Sequence, residues 1–182
     1  MPVAARIRLE IDIPQGANAK FDGTMLKVEG KNGKLERVFK NPKVSIALQG
    51  KKIILETEFP SKREKALIGT WEGHVNNMLI GVIKGFECKM KMVNAHFPMK
   101  VTLKGSNVII ENFLGERSPR SAVIVGDTKV DIKKDEIVLT GSNRESVGQT
   151  AANIERGTKI RGFDPRVFQD GIYITGKCKV RP

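Results

Sequence analysis

Apolar and polar residues alternate at the start of the chain. Ile7 to Ile13 reads I-R-L-E-I-D-I, the period of two that gives a β-strand one buried and one wet face. Pro14 ends it. Ala19 to Phe21 and Met25 to Glu29 flank Asp22 and Gly23, a pair suited to a tight hairpin reversal, and Asn32 with Gly33 supplies the next turn. Leu35 to Phe39, Val44 to Leu48 and Ile53 to Glu58 continue the antiparallel pattern. The period then changes. Ser61 followed by Glu64 has the spacing of a capping box, and Leu67, Trp71, Val75, Met78, Leu79 and Val82 fall on one stripe of a helix. Strand patterns resume at Phe86 to Ala95, Met99 to Leu103, Val108 to Phe113, Val123 to Val125, Val130 to Ile132 and Ile137 to Leu139. A second helix is expected from Ser142, with Glu145 three residues on and Val147, Ala151 and Ile154 on its apolar face. Gly157 and Gly162 offer exits.

The order of features repeats. SKRE at Ser61 to Glu64 returns as SNRE at Ser142 to Glu145; KKIILE at Lys51 to Glu56 is matched by DEIVLT at Asp135 to Thr140, and VSIAL at Val44 to Leu48 by VDIKK at Val130 to Lys134. Leu26 to Glu29 with its Asn32-Gly33 turn is matched by Val108 to Glu111 with a turn near Gly115. A period of about 80 to 86 residues exceeds that of solenoid repeats and implies an internal duplication. The expected fold is α+β: two tandem similar domains, residues 1–82 and 83–182, each an antiparallel sheet packed against one helix. Domains this small bury only about 60 to 65% of their unfolded surface, so each copy is expected to lean on the other or on a partner. Residues 80–86, IGVIKGF, contain no Pro- or Ser-rich linker, which suggests a close, semi-rigid pair.

Composition narrows the function. The 182 residues are 40% hydrophobic, enough for real cores, and the net charge is +12. An anionic partner such as nucleic acid follows from that balance. No apolar run approaches the roughly 18 residues a spanning helix needs, and Met1 to Pro14 lacks a signal peptide's apolar centre, so the expectation is a cytoplasmic protein with no membrane partner. Cys88 and Cys178, the two cysteines, show no CxxC spacing and are read as free thiols.

Candidate chemistry is sparse. His74 and His96 are the only histidines, no metal-ligand spacing or nucleophile elbow is present, and GKNG at Gly30 to Gly33 lacks the spacing of a phosphate-binding loop and reads as a turn. No catalytic residue, metal, cofactor or small-molecule substrate is assigned. An enzyme acting on an anionic substrate through Asp164, Asp170 and His96 stands as an alternative without support from spacing. The stronger signal is cationic. From Arg156 onward the chain has seven Lys or Arg (Arg156, Lys159, Arg161, Arg166, Lys177, Lys179, Arg181) against Asp164 and Asp170. His96 is added as a phosphate or base contact. Aromatic residues make up 5% of the chain and show no RNP-type arrangement, so backbone and shape recognition of RNA is favoured over stacking on a sheet.

Arg166, Phe168, Asp170, Gly171, Ile172, Tyr173, Ile174 and Lys177 spell RxFxDGIYIxxK. Asp170 and Gly171 are read as a turn, with Ile172 and Ile174 on one side of a short strand and Tyr173 on the other. This string, behind a duplicated sheet-plus-helix domain and a GKNG hairpin, resembles the large-subunit ribosomal protein six family in its archaeal and eukaryotic form. One departure is visible upstream of the tail: the family pattern has a Gln and a basic residue where Arg156 and Phe163 stand, while Ile160 matches. The resemblance implies a non-catalytic structural protein of the large ribosomal subunit, bound to large-subunit rRNA near its 3′ end, beside the surface where translation factors dock, with neighbouring ribosomal proteins as further partners. Transferred to this chain, it makes Arg166 and Lys177 RNA-facing, accompanied by Arg156, Lys159, Arg161, Tyr173, Lys179, Arg181 and His96. Short termini without Lys-rich extensions lean toward an archaeal source. A non-ribosomal RNA-binding protein or RNA chaperone is the alternative.

Overall fold

The computed structural model describes residues 6–164 and 166–181; Met1 to Ala5, Pro165 and Pro182 lie outside the described residues. The chain divides into two compact units, Met1–Lys84 and Gly85–Pro182. Val82 and Ile83 belong to the last turn of the first helix, so the boundary falls two residues beyond residue 82.

In the first unit the alternating patterns become six strands, β1 (Arg6–Asp12), β2 (Ala17–Asp22), β3 (Met25–Gly30), β4 (Gly33–Val38), β5 (Val44–Gln49) and β6 (Lys52–Glu58), followed by α1 (Lys62–Ile83). They form two antiparallel three-stranded sheets, ordered β1-β6-β5 and β2-β3-β4. Ser61 caps α1 as expected: the Glu64 carboxylate accepts from the Ser61 amide at 2.8 Å and from its hydroxyl. The helix buries Ile68, Trp71, Val75, Met78, Leu79 and Val82 against Leu26, Val28, Ile53 and Leu55. Ile68 was not on the expected stripe, and Leu67 is only partly buried. Trp71 meets Phe39 edge to face, with ring centroids 5.2 Å apart.

GKNG is a hairpin turn with a second task. The amide of Asn32 donates to the Val82 carbonyl at 2.8 Å and its Nδ2 to that of Ile83 at 2.9 Å, so two carbonyls at the end of α1, which have no partner inside the helix, are satisfied by the β3–β4 turn. Close approach makes this possible. A Cβ on Gly30 would fall 2.7 Å from the Val82 carbonyl oxygen.

The second unit repeats the plan. Its strands are β7 (Phe86–Val93), β8 (Lys100–Lys104), β9 (Asn107–Glu111), β10 (Arg120–Val123), β11 (Lys129–Ile132) and β12 (Glu136–Gly141), then α2 (Arg144–Gly157). The order β11-β12-β7 reproduces β5-β6-β1, and β10-β9-β8 reproduces β4-β3-β2. The duplicated α+β architecture is therefore present element for element. Three details differ from expectation. Asn143 caps α2 in place of Ser142, its Oδ1 accepting the Glu145 amide at 2.9 Å; both residue types cap well, and the one in extended backbone immediately before the helix does so. The strand expected at Val123 to Val125 is Arg120–Val123, paired with β9. Phe113 leaves β9 and enters a short 3-10 turn, Phe113–Gly115, where it is 1% exposed. The core joins Met90, Val108, Ile110, Phe113, Ile137 and Leu139 to Val147, Ala151 and Ile154 of α2.

After α2 the second unit continues where the first stops. β13 (Gly171–Ile174) and β14 (Lys179–Val180) both pair antiparallel with β7, on the side opposite β12. No helix among the described residues is long and apolar enough to cross a membrane.

Gly30→Ala should lower the urea midpoint of the first unit by the equivalent of about 1–3 kcal/mol, the usual cost of overpacking against a fixed neighbour. Gly73→Ala should raise it by up to about 1 kcal/mol through helix propensity, because Gly73 is exposed on α1 with nothing within 4 Å of its added carbon. Circular dichroism across a urea series checks both.

Candidate nucleic-acid interface

β7 reads F-E-C-K-M-K-M-V, and its alternation decides which residues face water. Cys88 and Met90 point into the core with α2 and Phe86 is buried on the same face of the strand, while Lys89 and Lys91 are exposed and Glu87 is partly so. β13 adds to that outer face: Ile172 is fully buried, Ile174 partly, and Tyr173, opposite Lys91 in the register, is 42% exposed. Between Ile174, opposite Met90, and Lys179, opposite Glu87, the tail advances five residues while β7 advances three. The surplus of two residues makes a bulge at 176–177. Thr175 pins its start, donating from amide and hydroxyl to the Lys89 carbonyl at 3.1 and 2.9 Å. A groove of about 290 Å³ results, lined by Glu87, Lys89, Thr175, Gly176, Lys177, Lys179 and Val180. Arg181 follows, its amide donating to the Gly85 carbonyl at 3.0 Å.

Lys177, Lys179 and Arg181 thus lie along one strand edge with Lys89 beside them and Lys91 further up β7. Sequence reasoning missed Lys89 and Lys91, although the alternation in β7 carried the signal. Lys89 is paired with Glu87 at 3.3 Å. Among the described residues, Lys159, Arg161, Arg166, Lys177, Lys179 and Arg181 enter no ion pair. In the first unit some cations are engaged locally, Arg6 with Glu56, Lys34 with Glu29 and Lys52 with Glu10, while others such as Lys31 and Lys62 enter no ion pair among the described residues.

The remaining expected residues fall elsewhere. Arg156 sits exposed in the last turn of α2 and Lys159 just beyond it. His96, Arg161 and Arg166 belong to the other end of β7, where the chain after β7 meets the segment before β13. There Asp170, 2% exposed, accepts the amides of Ala95 and His96 at 2.8 and 3.1 Å, with His96 Nδ1 3.3 Å from its Oδ1. Burial by itself would raise this carboxyl; the Ala95 and His96 amides and the His96 ring outweigh it and hold Asp170 below the ordinary aspartate value. The His96 ring packs on Phe168 at 4.7 Å, and Phe168 on Phe163 at 4.9 Å. His96 is therefore held by the tail rather than presented alone.

The expected turn at Asp170-Gly171 is displaced. The reversal lies at Asp164 to Phe168, where the Asp164 carbonyl accepts the amides of Val167 and Phe168 and its carboxylate accepts that of Arg166 at 2.9 Å. Gly171 already opens β13, and a Cβ there would meet the Tyr173 ring at 3.1 Å. Tyr173 folds back over it and donates to the Gln169 carbonyl at 3.1 Å. An acid–base pairing of Asp170 with His96 is poorly served by this geometry, since two backbone amides already occupy the carboxylate.

The free side of β13 is closed by α2. The Ile172 amide donates to Thr158 Oγ1 at 3.0 Å and that of Ile174 to Glu155 Oε1 at 3.3 Å. Arg120 steadies the same corner: Nη1 donates to the carbonyls of Gly157 and Lys159 at 2.9 and 3.1 Å, the guanidinium grips Glu116, and its carbon lies 4.3 Å from the Phe113 ring centroid. Arg120 is a cation committed to structure. Among the described residues, no group of three or more His, Cys, Asp or Glu could hold a metal ion.

Comparison with known proteins agrees with the duplication. The family model described as ribosomal protein L6 matches residues 13–85 and 97–171, one stretch in each unit. The chain is 52% identical over 177 residues to the large ribosomal subunit protein uL6 of Methanobrevibacter smithii, covering 97% of this chain and 99% of that one. It is 50% identical to the protein of that name from Methanocella arvoryzae (96% and 99% covered) and 48% identical to that from Methanosarcina mazei (92% and 96%).

Replacing Asp170 with Asn removes one acceptor and turns a donor toward a backbone amide, which should cost about 2 kcal/mol, the scale of a charge-assisted hydrogen bond. The pH dependence has a definite sign. A carboxyl held low in the folded state contributes stability that is complete above its unfolded value, near 3.9, and is lost as pH falls through the lower folded value. The gap between the parent chain and D170N in urea midpoint should hold from pH 7 to about 5 and narrow below about 4.

Proposed function

We propose, from the premise that this chain belongs to the ribosomal protein L6 family, that it is a non-catalytic structural constituent of the large ribosomal subunit. The second unit binds large-subunit rRNA near the 3′ end of that molecule, close to the surface where translation factors dock, and neighbouring ribosomal proteins complete its surroundings. The family is a structural one, and its curated relatives carry the name of a large-subunit protein.

The observation that carries the RNA-binding reading is the row of cations fixed on the second unit's sheet. Lys179 and Arg181 are held by backbone pairing to β7, Lys177 stands in the bulge beside them, and none of the three has a carboxylate partner among the described residues. Fixed cations lose less freedom on meeting phosphates than a loose tail would. Arg161, Arg166 and the partly exposed aromatic group of Phe163, Phe168 and His96 form a second contact region, suited to a backbone phosphate with a base or ribose against the rings. Arg156 and Lys159 add charge at the end of α2. Tyr173, with its hydroxyl committed to Gln169, offers its ring to the same outer face.

Six phosphate contacts would make affinity fall roughly a thousandfold between 50 and 200 mM salt. Arg166→Glu combined with Lys177→Glu should weaken binding to a folded large-subunit rRNA fragment by more than about tenfold and reduce the log–log salt slope by about 2, with the circular dichroism spectrum unchanged. Lys34→Glu in the first unit serves as the control and should leave both quantities as they were. Equal affinity for unrelated structured RNAs would favour an RNA chaperone; unaltered binding by the double variant would remove the tail from the interface.

A further inference from the structure

Two thiols face each other across the tail's pairing with β7. Cys88 on β7 is 1% exposed, and Cys178, just before β14, packs partly buried against the same core. β14 sets Lys179 opposite Glu87 and Val180 opposite Phe86, and one further step in that register sets Cys178 opposite Cys88. The Arg181 amide bonds the Gly85 carbonyl at 3.0 Å, which marks 181 with 85 as a hydrogen-bonded pair. Bonded and non-bonded pairs alternate along an antiparallel ladder, so Cys178 and Cys88 occupy a non-bonded pair, where Cα atoms approach to about 4.5 Å. That lies within the roughly 4.4–6.8 Å that a disulfide spans. The side chains agree: both thiols pack into the same core, and Cys88 Sγ lies 3.9 Å from the Gly176 carbonyl oxygen in the bulge.

We propose that Cys88 and Cys178 form a disulfide site, closed by exchange with a low-molecular-weight disulfide, which staples the carboxyl-terminal strand to β7. The reading of the cysteines as free thiols holds for the reduced chain; a disulfide site goes beyond it, since separation along the chain gave no sign that the two lie together. The two sulfurs have different parts. Burial first, then the neighbouring Cys178 thiol, pushes the Cys88 thiol up to about 12, so partly exposed Cys178 starts the reaction. Cys178, having lost its proton to water, attacks one sulfur of the small disulfide, and a mixed disulfide forms as one small thiolate leaves. Cys88 then attacks the Cys178 sulfur; the mixed bond breaks, and the Cys88 proton passes to the departing second thiolate. Two protein thiols and one small disulfide become one protein disulfide and two small thiols. Two electrons move from the protein sulfurs to the reagent. Burial that keeps Cys88 protonated slows closure and, by disfavouring the thiolate, makes the closed form resistant to reduction.

The test uses the full native chain without RNA, so its result is independent of the rRNA reading. Incubation with oxidised glutathione, followed by acid quench and intact mass, should give a species two hydrogens lighter than the reduced chain. Peptide mapping should join the segments holding Cys88 and Cys178, and dithiothreitol should restore both thiols. Cys88→Ser should halt at a glutathione adduct on Cys178, whereas Cys178→Ser should leave Cys88 unmodified until urea is added. A parent chain that stays reduced, stops at an adduct, or dimerises through an intermolecular disulfide would overturn the proposal.

Discussion

The second unit depends on the open edge of β7. A three-stranded sheet leaves unpaired backbone groups on its outer strands, and the two copies deal with the equivalent strand in different ways. In the first, β1 stays outermost and alternates Arg6, Arg8, Glu10 and Asp12 on its exposed face, charges that discourage another strand from adding there. In the second, the chain returns after α2 and supplies the missing neighbours itself. β13 takes the upper part of the edge and β14 the lower, with a bulge between them.

That return is secured by polar groups that would be costly to bury alone. Asp170 is buried with two amides and an imidazole on its carboxylate, and Thr158, 4% exposed, accepts the Ile172 amide. The Asp170 carboxylate gains its amide partners only when the tail is docked, while Thr158 also bonds the Glu155 carbonyl at 3.2 Å at the end of α2. A docked tail converts a run of positive residues into a patterned surface: apolar Ile172 inward, Tyr173 outward, then Lys177, Lys179 and Arg181 spaced along one edge. Electrostatic attraction to phosphates requires only charge; choosing a folded RNA over bulk duplex requires that the charges hold still.

Local periodicity made the duplicated architecture legible. The alternation in β1, the Ser61-Glu64 box and the matching runs KKIILE and DEIVLT all express nearest-neighbour chemistry, and each marks an element found in the structure. Small departures arose where two neighbouring residues could serve equally, as at Ser142 and Asn143, or where a glycine suggested a turn that a carboxylate had already placed elsewhere, as at Asp170-Gly171. The tail's partner was hidden for a different reason. Pairing between β7 and a strand distant in sequence leaves no periodic trace in either segment, so the positive residues from Arg156 on read as one cluster when they in fact occupy two ends of β7 and the end of α2. Lys89 and Lys91 were overlooked because a polar face on a strand reads as solvent-facing until something is shown to lie beside it.

Duplication also explains why charge count alone does not tell the two units apart. The first unit is basic too, yet Arg6, Lys34 and Lys52 are engaged with Glu56, Glu29 and Glu10, pairs that are exposed, weak and screened by salt, and whose fields cancel at short range. What distinguishes the copies is the added segment after α2, which pairs with β7 and carries its cations on the sheet. The fold is whole without such a segment in one copy and built around it in the other, so the proposed RNA contact rests on the strand that fills the edge. Under that proposal backbone pairing and Asp170 matter as much as any lysine, because the positions of the charges are set by where β7 stops and where the bulge begins.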